Sequence, residues 1–301
     1  MDTDWRDEVL VSYTRRDLIL YALGIGCSDL RFVYEDADGF SPFPTYPVVL
    51  GFKGDAIDVV PFPSPAMMQT QPMVELPGVR TVLDAERYIE LVKPLPSEGG
   101  SFNLRSKVVS IQQKSKGALI HFESELRNQH DELFYRLVAG AFAIGAHSFS
   151  SAGTPPAALA SDVQLPTRSP DAMLEEVVGL QQAQIYRLSG DYNALHIDPD
   201  AAQMAGFDKP ILHGLCTLGI AVRMVLSKFA PEEKACTEFK AVRCRFVGPV
   251  RPGETLLTKM WVDGSKILFT TEIKELSKVV IANAFVQLHG APRSVNLVAR
   301  L

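Results

Sequence analysis

The sequence holds no long run of lysine and arginine. Its 301 residues carry 30 basic and 35 acidic side chains, for a net charge of −5. Broad contact with nucleic acid therefore has no electrostatic support, although an acidic protein can still keep a local basic pocket for an anionic ligand. No apolar run approaches the ~20 residues that a membrane span needs. Cysteine is scarce. Cys27, Cys216, Cys236 and Cys244 form no CxxC pair and sit in apolar or strand-like surroundings, so buried free thiols in a reducing compartment are expected. The opening residues, Met1 to Glu8, are acidic and polar, unlike a signal peptide or an Arg-rich transit peptide. Catalytic motifs are missing too: there is no GxSxG elbow, no HExxH and no dinucleotide fingerprint after Gly24 and Gly26. Gly248 to Thr255 mimics a phosphate loop, but Glu254 stands where the essential lysine belongs.

What is present is an ordinary globular balance, 47% hydrophobic and 22% charged, in a chain long enough for two compact units. Residues 151–170 (Ser151 to Pro170), rich in Ser, Ala, Pro and Thr, read as a linker between halves 1–150 and 171–301. Each half carries a similar strand set. In the second, Ala241–Val247, Thr255–Val262, Ile267–Ile273 and Val279–Leu288 are β-rich runs divided by turns. In the first, Arg87–Val92, Phe102–Gln112, Ala118–Leu126 and Leu133–Ile144 repeat the order after the break Lys93-Pro94-Leu95-Pro96. This suggests a duplicated fold.

Leu215, Leu218, Val222, Val225, Leu226 and Phe229 recur at helical spacing, and the other face is also largely apolar. Such a helix is buried rather than amphipathic. Wrapped by an antiparallel sheet it makes a hot dog, so the expected class is α+β, a double hot-dog fold. In the first half Arg15–Leu23 reads as a short amphipathic helix. Pro44 to Pro65 contains five further prolines and glycines, which exclude a long helix there. The first copy should be degenerate, with a hollow where the second has its core helix.

Tyr186 to Pro199 is the richest stretch, placing Asp191, Asn193, His196 and Asp198 within eight residues. A calcium loop fails, since His196 and Ala202 occupy the positions of its glycine and bidentate glutamate. A transition-metal set of Asp191, His196, Asp198 and His213 lacks helical spacing and a cysteine pair, so no metal is expected. Asp198 before Pro199 reads as a helix cap. Asp191 and His196, five residues apart across a turn, can instead converge on one water as an acid–base pair, with burial moving both pKa values toward neutrality. Lys209 to Leu215 leads into the buried helix. There the Gly214 N–H and the helix dipole can receive an oxygen that gains negative charge. His213 reads as part of the helix start.

These stretches resemble the two signatures of the type 2 (R-specific) enoyl-CoA hydratases of the MaoC-like group. The resemblance covers about Gln184 to His289, including Phe246 and Arg251 to Thr255, and more loosely Tyr13 to Gly145. It implies hydration of a trans-2-enoyl-CoA to the (3R)-3-hydroxyacyl-CoA in fatty-acid β-oxidation, with Asp191 and His196 catalytic. It further implies Asn193 lining the site beside Tyr192, Ala194 and Leu195, Gly214 binding the thioester oxygen, and Lys93 and Phe246 contacting acyl-CoA. Ala194 stands where the family usually has proline. Coenzyme A enters only as part of the substrate, and no further cofactor is implied. The hollow first half gains a role as an acyl pocket, its residues between 55 and 73 being poorly matched. A homodimer is expected from the habit of hot dogs to pair. A same-fold enzyme alternative is a thioesterase, and an alternative from another class is a non-catalytic acyl-CoA-binding protein. The final Ala299-Arg300-Leu301 looks like a small–basic–Leu peroxisomal address, which would be read by an import receptor.

Overall fold

The computed structural model describes residues 4–6, 8–70, 74–230 and 238–293. Cys236 and the Ala299-Arg300-Leu301 tripeptide lie outside them. In the first half, β1 (Val9–Thr14) runs into α1 (Arg15–Gly24), whose start is a capping box between Thr14 and Asp17. The short helices α2 (Leu30–Val33), α3 (Leu50–Lys53) and α4 (Pro65–Thr70) follow, then β2 (Thr81–Leu91), β3 (Gly99–Lys114), β4 (Gly117–Arg127) and β5 (Leu133–Ile144). After β6 (Ala152–Gly153) the second half comprises β7 (Ala172–Val177), α5 (Gln182–Tyr186), α6 (Pro199–Met204), α7 (Gly214–Phe229), β8 (Phe239–Phe246), β9 (Thr255–Asp263), β10 (Lys266–Ile273) and β11 (Lys278–Leu288).

All the strands belong to one antiparallel sheet in the order β1-β3-β4-β5-β2-β8-β11-β10-β9-β7, with β6 pairing β3. The halves join where β2 meets β8, with Glu86 opposite Arg245 and Glu90 opposite Ala241. Glu86 accepts from Arg245 at 2.7 Å and lies 3.3 Å from His121, whose other ring nitrogen is 2.7 Å from Ser110 Oγ. Gly140 sits opposite both Glu86 and His121 on the strand between them. Its missing Cβ lets the two side chains meet, since an added one would stand 3.0 Å from Glu86 Cβ. Burial alone would raise the Glu86 carboxyl, but the bonds from His121 and Arg245 outweigh it and hold it below its usual range.

The sheet curls around α7, which is buried along its length except near Arg223 and Ser227. Val242 and Cys244 of β8 and Ile267 and Phe269 of β10 join it in one core. The duplicated strand sets and the fifteen-residue core helix match the sequence reading, one residue being added at the helix start. The first half contains no counterpart of α7 among the described residues. Proline and glycine break the equivalent segment into a 3₁₀ turn at Tyr46–Val49 followed by α3 and α4. A cavity of about 60 Å³ lies between these pieces and the strands, lined among others by Gly51, Phe52, Arg87, Leu104, Phe122 and Leu137. The hollow expected from the sequence is thus narrow.

Residues 151–170 do not form a loose tether. Arg243 donates to the Leu159 and Ser161 carbonyls, and Asn283 accepts from Val163 N–H and donates to Asp162. The segment therefore straps the first half onto β8 and β11. Cys27, Cys216 and Cys244 are buried free thiols, as expected.

The first half touches α7 through the end of α1. Cys216 Sγ lies 3.3 Å from Gly24 O, and Arg223 Nε donates to Ile25 O at 3.0 Å. Gly219 faces Ile25, and a Cβ there would come within 2.4 Å of Ile25 Cγ2. Ile25 is fully buried, so it has nowhere to retreat. Gly219→Ala gains up to about 1 kcal/mol of helix propensity but overpacks at a cost of about 1–3 kcal/mol. Urea unfolding should therefore find the variant less stable than the wild type. A more stable variant would mean that α1 does not dock on α7 in this way.

Candidate active site

The loop from Arg187 to Asp198 folds over the N-terminus of α7. A 3₁₀ turn at Arg187–Ser189 ends at Gly190, whose φ of 138° is open to glycine. Gly190 also packs on the first half, where an added Cβ would meet Val49 O at 3.1 Å and Phe52 Cβ at 3.5 Å. Asp191 then turns inward. Its Oδ1 accepts the Asn193 N–H at 3.3 Å, and Asn193 Oδ1 accepts the Leu195 N–H at 3.0 Å to start a second 3₁₀ turn, Ala194–His196. The sequence reading placed Asn193 as a lining residue; its carbonyl oxygen serves the turn, leaving its NH₂ for other partners. This second turn swings His196 back toward Asp191.

Asp191, His196 and His213 bring one side-chain donor atom each within 4.8 Å of one another. His196 Nδ1 lies 2.9 Å from Ile211 O. A carbonyl only accepts, so Nδ1 carries the proton and Nε2 presents a lone pair. By the same logic His213 Nε2–H donates to Asp191 O at 3.2 Å. Both carboxylate and imidazole are almost fully buried. Burial raises Asp191 to about 6, its Asn193 bond and the Arg87 charge opposing the shift. Burial lowers His196 to about 4, against the Ile211 bond. At neutral pH the pair is an ionised carboxylate and a neutral imidazole, each with acceptor capacity, within 4.8 Å of each other.

The same three residues are the candidate metal ligands among the described residues. Their geometry suits a cation poorly: the His196 and His213 rings stack with centroids 3.6 Å apart and planes 27° apart, so their lone pairs run side by side rather than converging as a tetrahedral ion requires. Asp198 takes no part. It caps α6 through Asp200 N–H with Pro199 at the first helical position, as the sequence indicates.

His213 stands at the start of α7 as its N-cap residue, as the sequence indicates, but its side chain makes no capping bond. The first N–H groups of the helix consequently keep their free donors and the positive end of the dipole. Gly214 has no positive φ, and a Cβ there would make only ordinary contact with the Phe246 ring at 3.5 Å. Neither backbone strain nor packing demands glycine at 214. The Phe246 ring lies beside Gly214. Tyr192 donates to Leu188 O at 3.4 Å beneath the Arg187 guanidinium, Leu195 is half-buried and Ala194 is exposed. Lys93 is exposed, 2.6 Å from Glu132 and over the Phe134 ring; a phosphate there would have to displace Glu132.

Arg87 escaped the sequence reading. It shares the inward face of β2 with Ile89 and Leu91, lines the cavity and sends its charge toward Asp191. A cation on the apolar side of a period-2 strand was the available signal.

Comparison with known proteins gives this geometry a family. The model for a MaoC-like domain matches residues 162–284, and the model for the MFE-2 hydratase 2 N-terminal domain matches residues 11–145. The peroxisomal multifunctional enzyme type 2 of Mus musculus is 40% identical over 92% of this chain, which spans 36% of that protein's length. The peroxisomal enoyl-CoA hydratase 2 of Arabidopsis thaliana is 33% identical over 96% of this chain and 94% of its own. The chain belongs to the enoyl-CoA hydratase 2 family. Within the wider MaoC-like group, the solved MaoC-like dehydratase from Phytophthora capsici superposes with a TM-score of 0.88 at 38% identity over 96% of both chains. A Mycobacterium tuberculosis protein described as a double hot dog shares the fold at 12% identity and a TM-score of 0.59.

The charge of Asp191 has a thermodynamic signature. Its folded pKa lies above the unfolded carboxylate value, so the fold holds the proton more tightly and loses stability as pH rises from about 4 through 6. Two units correspond to roughly 3 kcal/mol at most. Asp191→Asn should therefore raise the melting temperature at pH 7–8 (roughly neutral conditions), and the gain should vanish near pH 4. Equal gains at both pH values would refute the buried-carboxylate account.

Proposed function

We propose that this chain adds water across the double bond of a fatty trans-2-enoyl-CoA to give the (3R)-3-hydroxyacyl-CoA. The observation that carries the reading is the convergence of Asp191 and His196, both held as acceptors, beside the uncapped start of α7. A water between two acceptors gives one O–H to each and turns its lone pairs outward, where the β-carbon of a substrate would lie. As oxygen bonds that carbon, one O–H breaks toward the pair and the π electrons move onto the thioester oxygen. The Gly214 N–H and the helix dipole stabilise that charge. The proton held by the pair then passes to the α-carbon, and the pair returns to its starting state. Every atom of the added water is accounted for, and coenzyme A serves as handle rather than reagent.

The acyl chain is assigned to the cavity behind residues 46–53, which separate it from Gly190 and line both. Lys93 is assigned to a coenzyme A phosphate and Phe246 to the thioester end. The names of the relatives support a peroxisomal setting for this chemistry, and pairing of two chains belongs to the same proposal.

Hydration of crotonyl-CoA or decenoyl-CoA followed by chiral analysis of the product tests the reading. An (S) product contradicts it, and so does steady release of CoA thiol with the enoyl group intact, which would make the protein a thioesterase. Asp191→Asn or Ala should lose about 10²-fold or more in kcat. The rate should fall as pH drops through about 6 because the carboxylate must be ionised to hold the water. A profile flat from pH 5 to 8, roughly the range in which such groups titrate, would remove Asp191 from the mechanism.

A further inference from the structure

Five aromatic contacts join the first strand of the chain to the catalytic imidazole. Tyr13 meets Tyr46 at 5.4 Å, Tyr46 meets Tyr21 at 5.5 Å, and Tyr21 meets Tyr186 at 5.8 Å. Tyr186 lies 5.0 Å from His213, and His213 stacks on His196 at 3.6 Å. The ladder begins on β1, crosses the 46–49 turn and α1, and ends in the loop of the second half. Tyr21, Tyr46 and Tyr186 are completely buried and His213 nearly so. Gly24 keeps the crossing tight, since an added Cβ would stand 3.1 Å from Tyr186 Cα.

His213 is the last rung before the chemistry and touches both members of the pair. One face covers the His196 ring, and its Nε2–H holds the backbone carbonyl of Asp191. Its Nδ1 is buried without a protein partner. An unsatisfied buried acceptor costs about 1–3 kcal/mol, and tolerance of that cost points to a geometric duty.

We infer that His213 is a positioning residue: as the neutral Nε2–H tautomer it fixes the Asp191 backbone and the plane of the His196 ring, and the tyrosine ladder makes the first half its support. Its surroundings keep it neutral, through burial first and then the adjacent His196 ring. The inference rests on the hydratase reading. It extends that reading by giving the first half a part in aligning the acid–base pair, beyond any acyl pocket.

Two substitutions separate the two contacts. His213→Phe keeps a ring against His196 and loses the donor to Asp191 O. His213→Gln loses the ring and keeps an N–H at a similar reach. With enoyl-CoA as substrate, His213→Phe should lower kcat at least about tenfold with KM changed less than about threefold, as for a misplaced reacting group. His213→Gln, compared at matched melting temperature, should recover at least about threefold of that loss. A His213→Phe enzyme within twofold (roughly assay scatter) of wild type overturns the inference, as does a glutamine variant no better than phenylalanine. Should neither variant fold, imidazole nitrogen NMR of the wild type decides, because a charged or Nδ1–H His213 is incompatible with the role. A wild type that hydrates no enoyl-CoA would instead overturn the hydratase reading, leaving the NMR result to stand alone.

Discussion

The arrangement depends on a helix that is buried on nearly every side and starts without a side-chain cap. A helix inside a protein must still dispose of the free N–H groups at its first turn, and most helices do so with a serine, threonine or aspartate. Here the preceding residue is His213, which turns its donor to Asp191 O instead. Under the proposed function the start of α7 would receive the oxygen that gains negative charge. The loop folded over it supplies the two groups that would create that charge. The proposed oxygen site and acid–base pair thus both follow from where this one helix starts.

Burying Asp191 opposes stability. Its carboxylate receives one long backbone bond and a charge sent from Arg87, too little to offset desolvation. Glu86, on β2, shows the contrasting case. It is equally buried, yet His121 and Arg245 bring its pKa down and make it a structural anion across the β2–β8 junction. Two carboxylates of similar burial thus shift in opposite directions, separated by whether hydrogen-bond donors are supplied. The under-supplied carboxylate is the one placed 4.8 Å or less from an imidazole with a free lone pair.

Much of this was legible in the residues. The apolar repeat from Leu215 to Phe229 has no polar face to mislead, and the DYNALH turn brings together groups five residues apart, so α7 and the pair could be read locally. Asp198 carried its cap signal in the following proline. What could not be read depends on partners distant in sequence. His213 looks like a residue of the helix start until Tyr186 and His196 are seen on either side of its ring. The strap at 151–170 looks like a linker because its anchors, Arg243 and Asn283, come far later. Lys93 looks like an unattached cation because Glu132 lies across a hairpin from it. Coenzyme A and the (R) face rest on family resemblance, since no residue pattern here encodes them unaided.

The halves differ in a way that bears on substrate. A long helix fills the second, whereas prolines and glycines divide its counterpart into pieces of four to six residues. Short helices are individually marginal and hold their place by packing. The cavity beneath them is small, about 60 Å³, and as it stands has room for a few waters. Under the proposed function an extended acyl tail would push these pieces outward, and residues 46–53, which line the cavity, also pack on Gly190 and carry Tyr46 of the aromatic ladder. Chain entry and alignment of the pair therefore pull on the same turn. A fold with two complete core helices would have a firmer site and no such room. The degenerate half exchanges part of its own rigidity for space, and the ladder from Tyr13 to His196 is how alignment survives that exchange.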